Sequence, residues 1–403
     1  MIPLRCAGFS DSGMSAGHSS GEFSLRSNTV LAMRAKTTGE APAVPNDAAL
    51  PGCALLSQAE LRTQAMARLL GNWLGPGARL QKSFATPWRY VPGKRCNFQI
   101  ELEIVPAPGA RVERRQVIGK VYAKDRGAQV YRMLEEFRSH GFANGRFLVP
   151  QPLAYNARCK LLLLTWAEGE LLRSLLVDGS DVGGRIEEAA GWLLQLHQCG
   201  VTGGRRLTFR RHLQTLARQK QHLAEVYPES DDVLENLLRR LEERGMALSG
   251  WTPGPTHRDY SPDHLVFSGG HITALDFDEF CQYDPMFDVA HFMAHLRLLG
   301  LRYFGVMNRF DDIAERFRAA YQAGAQGYSA ERLRLYQAVA YFKLAHIVAI
   351  VVRPAAWKEV VDTFLREARQ ALGTLTGSRP DPAVKGITRN QERSRSERSS
   401  EGE

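Results

Sequence analysis

Between Cys96 and Ile104 the chain alternates strictly. Phe98, Ile100, Leu102 and Ile104 fall on one side, and Asn97, Gln99, Glu101 and Glu103 on the other. A period of two predicts a half-buried antiparallel strand. The turn Pro106–Ala110 (PAPGA) follows, and a second strand is predicted over Arg115–Ala123. From Ala128 to Phe142 the spacing becomes helical, with Val130, Met133, Leu134 and Phe137 on one stripe and Gly141 as a stop. A further strand is expected over Cys159–Trp166. After Leu171 helical patterns dominate, interrupted by two short apolar runs, LVF and ITALDF. These flank Ser268–His271 (SGGH) and predict a β-hairpin.

The ends read differently. Residues 1–55 are rich in Ser, Gly, Ala and Pro without a sustained period, which predicts a flexible extension. Leu56–Gly75 has helical spacing, with Ser57 and Glu60 placed as a capping box, so 56–83 is expected to be a helix and lead-in. Residues 376–403 are polar and almost free of large apolar side chains, the composition of a disordered tail. Between them the pattern is α+β, with a small strand-rich half over 84–164 and a large helical half over 165–375.

The chain has 403 residues, a formal net charge of +9 and 44% hydrophobic residues, which suits a globular unit of two lobes. The basic excess favours an anionic partner such as nucleotide phosphate. The six cysteines are scattered without a C-x-x-C pair, as expected of reduced thiols in a cytoplasmic protein. Tyr341–Val352 is apolar but shorter than the roughly 20 residues a membrane helix needs, and it carries Lys343 and His346. It is read as a buried core helix, and no membrane partner is expected.

The chemistry concentrates in His257–Phe267 (HRDYSPDHLVF) and Ile272–Phe280 (ITALDFDEF). Antiparallel pairing of the hairpin brings Asp259 and Asp276 to the same end. Two carboxylates meeting there suit a divalent cation, or a base beside a metal-binding acid. HRDYSPDH resembles the catalytic loop H-R-D-x-x-x-x-N of kinases, and ALDFDEF their metal-binding segment. Tyr283–Leu296 (YDPMFDVAHFMAHL) is similar to the GDP-x-x-D-x-A segment of the aminoglycoside phosphotransferase family. WRYVPGKRCNF, VIGKVYA, VPQPLAY, LLLLTWAEG and LLQLHQCG follow in that family's order.

This resemblance, over roughly Phe84–Leu372, implies a protein-kinase-like bilobal fold and ATP-dependent phosphorylation of a small-molecule hydroxyl (a sugar, amino sugar or amino alcohol). It implies Asp259 as the residue that orients the hydroxyl, and Asp276 as ligand to Mg²⁺. Lys120 is implied on the α- and β-phosphates, Gly93 in the phosphate-covering turn, and Thr165, Trp166 and Ala167 along the adenine. The sequence departs from the pattern where His264 stands for the second metal-ligating Asn. Imidazole is a softer donor, so Mn²⁺ becomes a candidate. No helix Glu presents itself as partner to Lys120, and that partner is left unassigned.

Other polar residues are read structurally. Asp278 is taken as structural or a substrate contact, Asp284 and Asp288 as braces or caps, and His257 as a packing residue. His291 and His295 have zinc-like spacing without the acid of H-E-x-x-H and are read as structural. The basic run Gly203–His212 lacks a stacking platform, so nucleic acid is not an expected partner. Acidic side chains in the helical half would suit a cationic acceptor. The alternative function is a nucleotide-binding pseudokinase or scaffold without turnover, for which His264 and the missing Glu speak.

Overall fold

The computed structural model describes residues 42–248 and 251–373. Residues 1–41 of the flexible extension expected over 1–55, and the polar tail expected over 376–403, lie outside the described residues. A five-stranded antiparallel sheet organises the small lobe, in the order β1-β2-β3-β6-β5. Its strands are β1 (Arg79–Val91), β2 (Arg95–Val105), β3 (Glu113–Tyr122), β5 (Pro152–Asn156) and β6 (Leu161–Thr165), with the short β4 (Phe147–Leu148) lying between β3 and β5 in sequence but outside this sheet. β1 was not anticipated. Pro87 and register shifts at Leu80/Lys82 and Pro87/Arg89 break its alternation.

The outer face of the sheet carries Phe98, Ile100, Val117 and Val121. It is covered by α1 (Pro51–Ser57), α2 (Ala59–Leu69) and α3 (Gly71–Leu74). Two expectations change here. Residues 42–55 are not loose chain, because Leu50, Cys53 and Leu56 bury themselves against the sheet. Leu56–Gly75 is not one helix either, since Gln58 is extended and Ser57 Oγ donates back to the Ala54 carbonyl instead of capping. The other face looks toward the helical lobe and packs on α4 (Arg126–Phe137). β6 is apolar on both faces for this reason: Leu161 and Leu163 belong to the outer core, Leu162 and Leu164 to the inner one.

The large lobe begins at β7 (Glu170–Leu171) and α5 (Leu172–Val177). It is built from α6 (Gly183–Gln198), α7 (Phe209–Val226), α8 (Asp231–Ala247), α9 (Met286–Phe304), α10 (Asp311–Gly324), α11 (Ala330–Ile347) and α12 (Trp357–Gly373). Set into it are β8 (Gly254–Thr256), β9 (Leu265–Ser268), β10 (His271–Ala274) and β11 (Cys281–Tyr283). β9 and β10 form the expected hairpin in a four-stranded sheet ordered β4-β10-β9-β7, and β8 pairs with β11. In the basic run, Phe209 and His212 turn into this core, so its aromatic ring is not on a nucleic-acid face. Ala330–Val352 is long and apolar enough by length and composition to cross a membrane. Most of it is nonetheless buried, and α11 packs on α9 and α12. The architecture is α+β and bilobal, with a cleft where β3 faces the hairpin.

Candidate active site

Two loops at one end of the hairpin hold left-handed residues other than glycine: Arg258 at φ 72° and Asp276 at φ 61°. Such conformations cost on the order of 1–3 kcal/mol and persist only where neighbours enforce them. Asp288, fully buried, is the enforcer for the first. Its Oδ2 accepts from the His257 amide at 2.6 Å and its Oδ1 from the Arg258 amide at 2.8 Å. His257, also fully buried, donates from Nε2 to the Leu275 carbonyl and accepts the Asp259 amide at Nδ1, tying the two loops together. Asp284 accepts the Met286 amide at the start of α9 and pairs with Arg332 at 2.7 Å.

Asp259, His264 and Asp276 converge, with one donor atom from each lying within 4.8 Å of the others. His264 Nδ1 donates to the Asp259 carbonyl at 2.7 Å, which leaves Nε2 as a lone pair 4.0 Å from Asp276 Oδ2. Two carboxylates and one imidazole within this span fit a divalent cation. The mixed oxygen and nitrogen set suits Mn²⁺ as well as Mg²⁺.

Lys120 extends from β3 into the same space. Its ammonium lies 2.8 Å from Asp276 Oδ1 and 3.0 Å from Asp278 Oδ1. The unassigned partner is therefore Asp278, not a helix glutamate. Asp278 also accepts from Tyr122 Oη at 2.8 Å and pairs with Arg95 at 2.6 Å. Arg89 stands 3.8 Å from Asp276 Oδ2. Burial opposes ionisation of Asp276, but Lys120, His264 and Arg95 overcome it and hold the carboxyl below its usual range. Burial likewise disfavours the Lys120 ammonium, and the two carboxylates reverse that and raise its pKa.

Gly93 sits at the β1–β2 turn in the left-handed region, at φ 65°. Its amide donates to Asp47 Oδ2 at 2.8 Å, so it is committed to the N-terminal segment and not presented to a phosphate. The positive groups that reach the cleft from this hairpin are Arg89 and Arg95. Thr165, Trp166 and Ala167 connect the lobes as expected. Thr165 Oγ1 accepts the Gln151 amide, and Trp166 meets Trp88 edge-on at 6.3 Å. Asn97 pairs with Lys120 and Glu101 with Gln116, which places Glu101 and Gln116 on the sheet face that carries Lys120. Glu101, Gln116, Thr165 and Trp166 help line a cavity of about 550 Å³ beside the connector.

On the far side of Asp259 stand residues that sequence reasoning set aside. His291 Nε2 is 3.6 Å from Asp259 Oδ1, Lys343 Nζ is 3.7 Å from the same atom, and His295 stacks on His291 at 4.2 Å. Burial resists ionisation of Asp259, yet Lys343, His264 and His291 hold its carboxyl well below the usual range. The signals were present in the sequence: a lone lysine in an apolar helix, and two histidines four residues apart on one face.

The family model for the phosphotransferase enzyme family matches residues 110–336. No curated protein matches by sequence. Among solved structures, a thermostable mutant of aminoglycoside phosphotransferase APH(4)-Ia superposes with a TM-score of 0.53 at 13% identity, covering 78% of this chain and 100% of that one. A ternary complex of another variant of that enzyme, with AMP-PNP and hygromycin B, gives 0.52 at 14% identity over 78% and 99%. Amicoumacin kinase hAmiN, bound to AMP-PNP, Ca²⁺ and Ami, gives 0.50 at 13% identity over 71% and 88%. At these identities the likeness is one of fold.

Proposed function

This chain belongs to the phosphotransferase enzyme family, and from that premise we propose that it transfers the γ-phosphoryl group of ATP to a hydroxyl of a small molecule. The observation that carries the reading is the meeting of Lys120, Asp276 and Asp259 across the cleft. Asp259 accepts the hydroxyl proton as the acceptor oxygen bonds to the γ-phosphorus and the bond to the ADP oxygen breaks. Its depressed pKa keeps it ionised and able to orient the alcohol. Lys120 leaves its ion pair with Asp276 to meet the α- and β-phosphates, while Asp278 keeps the ammonium in place. Arg89 and Arg95 supply positive charge from the β1–β2 hairpin, and Thr165, Trp166 and Ala167 line the adenine.

Asp276, His264 and an oxygen of Asp259 would hold Mg²⁺ or Mn²⁺, which neutralises phosphate charge when bound. A cytoplasmic location, where ATP is abundant, belongs to the same proposal. The test is label transfer from γ-³²P-ATP to metabolites of a cell extract, comparing the native chain with Asp276→Ala. Labelled product with the native chain and none with the variant is the expected result. Equal labelling by both would refute the assignment, and nucleotide-dependent thermal stabilisation without any product would favour the scaffold reading.

A further inference from the structure

The side of Asp259 facing away from Asp276 holds one cation, Lys343. Lys343 Nζ accompanies Asp259 at 3.7 Å, too long for a hydrogen bond, and is itself held by His291 Nε2 at 3.1 Å. His291 Nδ1 donates to the Tyr260 carbonyl, so Nε2 is the accepting nitrogen and the histidine is neutral. Its pKa lies well below the ordinary value, because it is buried and faces Lys343 and His295. Lys343 and Asp259 both remain partly open, their side chains 23% and 31% exposed. Among the described residues no carboxylate other than Asp259 lies within 4 Å of the Lys343 ammonium. Arg258 adjoins the same loop. Its Nε and Nη1 are buried without a hydrogen-bond acceptor, its guanidinium resting on the rings of Phe287 and Tyr283. His295 Nε2 also lacks a partner.

The carboxylates of this region point the other way in charge balance. Asp263 is paired with Arg173, Asp284 with Arg332, and Asp288 with two backbone amides. An acceptor bearing ammonium groups would find acids already engaged and a lysine in its path. Asp263, Asp284 and Asp288 therefore offer no unpaired charge to a cationic acceptor.

Resting on the phosphotransferase reading, we propose that the acceptor is an anionic alcohol, carrying a carboxylate or phosphate near its reacting hydroxyl, and that Lys343 recognises that group. With the hydroxyl on Asp259, an anion a few bonds away falls beside the ammonium. A charge-assisted contact of this kind distinguishes an anionic from a neutral alcohol by about tenfold or more.

The experiment uses the full chain with AMP-PNP and Mn²⁺ or Mg²⁺, following thermal unfolding on addition of gluconate, glucose 6-phosphate, glucose or glucosamine. Sodium chloride at matched ionic strength is the control. Stabilisation by gluconate or glucose 6-phosphate beyond glucose and glucosamine is expected, and whichever is stronger separates carboxylate from phosphate. In Lys343→Gln that preference disappears and in Lys343→Arg it persists. With the preferred anion as substrate, Lys343→Gln raises KM about tenfold, whereas a lysine serving only the phosphoryl group would lower kcat for every acceptor alike. Preference for glucosamine, or no preference at all in the native chain, overturns the proposal whether or not the variants fold. If the nucleotide itself gives no stabilisation, the phosphotransferase reading fails first and this proposal with it.

Discussion

Lys120 meets Asp278 at 3.0 Å across 158 residues of chain, with both side chains almost fully buried. The contact joins the small lobe to the Asp276–Glu279 turn of the large lobe. Asp278 simultaneously answers Arg95 and Tyr122, so three small-lobe donors depend on one carboxylate of the large lobe. It holds the position that sequence reasoning sought on a helix. Docking of the two lobes and placement of Lys120 thus rest on the same carboxylate.

Asp278→Asn should destabilise the chain by about 3 kcal/mol, because it leaves Lys120 and Arg95 near a neutral amide in a dry site. The neighbouring exposed Glu279 pairs with Arg126 and Arg205 at the surface, and Glu279→Gln should stay within about 0.5 kcal/mol. Urea unfolding of both variants reads the contrast. Equal effects would mean that Asp278 is not the anchor.

The sequence showed the second and third strands, the hairpin and the Asp259–Asp276 end because those segments carry their own period. It hid the rest for identifiable reasons. β1 loses its alternation at Pro87 and at its register shifts, and the short α1 buries Cys53 and Leu56, with Leu50 just before it, amid small residues. Asp278 lies two positions from Asp276, and only the short helical turn Phe277–Glu279 swings it toward Lys120. Lys343 and His291 reach Asp259 from α11 and α9; the sequence marked them as a lysine in an apolar run and one of two spaced histidines, but not where they meet. Gly93 sits at the hairpin turn, but the amide expected over the phosphates is taken by Asp47, from a segment expected to be loose.

Gly169 follows the connector at φ 130°, with its Cα hydrogen side against the Phe267 carbonyl of β9. A methyl group there would collide with backbone, which cannot rotate away as a side chain can. Gly169→Ala should therefore cost more than about 2 kcal/mol by combining strain with displacement of the β7–β9 pairing. Denaturant midpoints at constant slope are the check, and a loss under about 0.5 kcal/mol would contradict this account.

Acid sensitivity should begin with histidines. Burial lowers His346 to about 4, with His222 adding to the shift, and both its ring nitrogens are buried without partners. The unfolded chain takes up a proton near pH 6.5 that the folded chain refuses, so stability falls as pH drops from about 6.5 toward 4. His212, His257 and His291, also lowered by burial, and His295, lowered to about 3, contribute in the same direction. Asp259 and Asp276, depressed in the folded state, add their loss only below about pH 4, as the unfolded carboxyls protonate first. His346→Leu should flatten the slope between pH 6.5 and 4 and stabilise the chain by about 1 kcal/mol at neutral pH. Thermal midpoints across that range decide it, and an unchanged slope would exclude His346 as a contributor.

His264 sets the metal preference if it ligates through Nε2. Its Nδ1 is fixed on the Asp259 carbonyl at 2.7 Å, so the free nitrogen is the one beside Asp276. Imidazole binds Mn²⁺ more readily than Mg²⁺, whereas an amide oxygen suits Mg²⁺. Stabilisation by AMP-PNP should consequently be greater with Mn²⁺ in the native chain. His264→Asn should weaken Mn²⁺ affinity on the order of tenfold and shift the order toward Mg²⁺. Titrating each metal into the nucleotide-bound protein and following thermal unfolding gives both affinities without depending on turnover. Should the variant keep the native order of metals, His264 would be a hinge between the two loops and not a ligand, and the cation would rest on Asp259 and Asp276 alone.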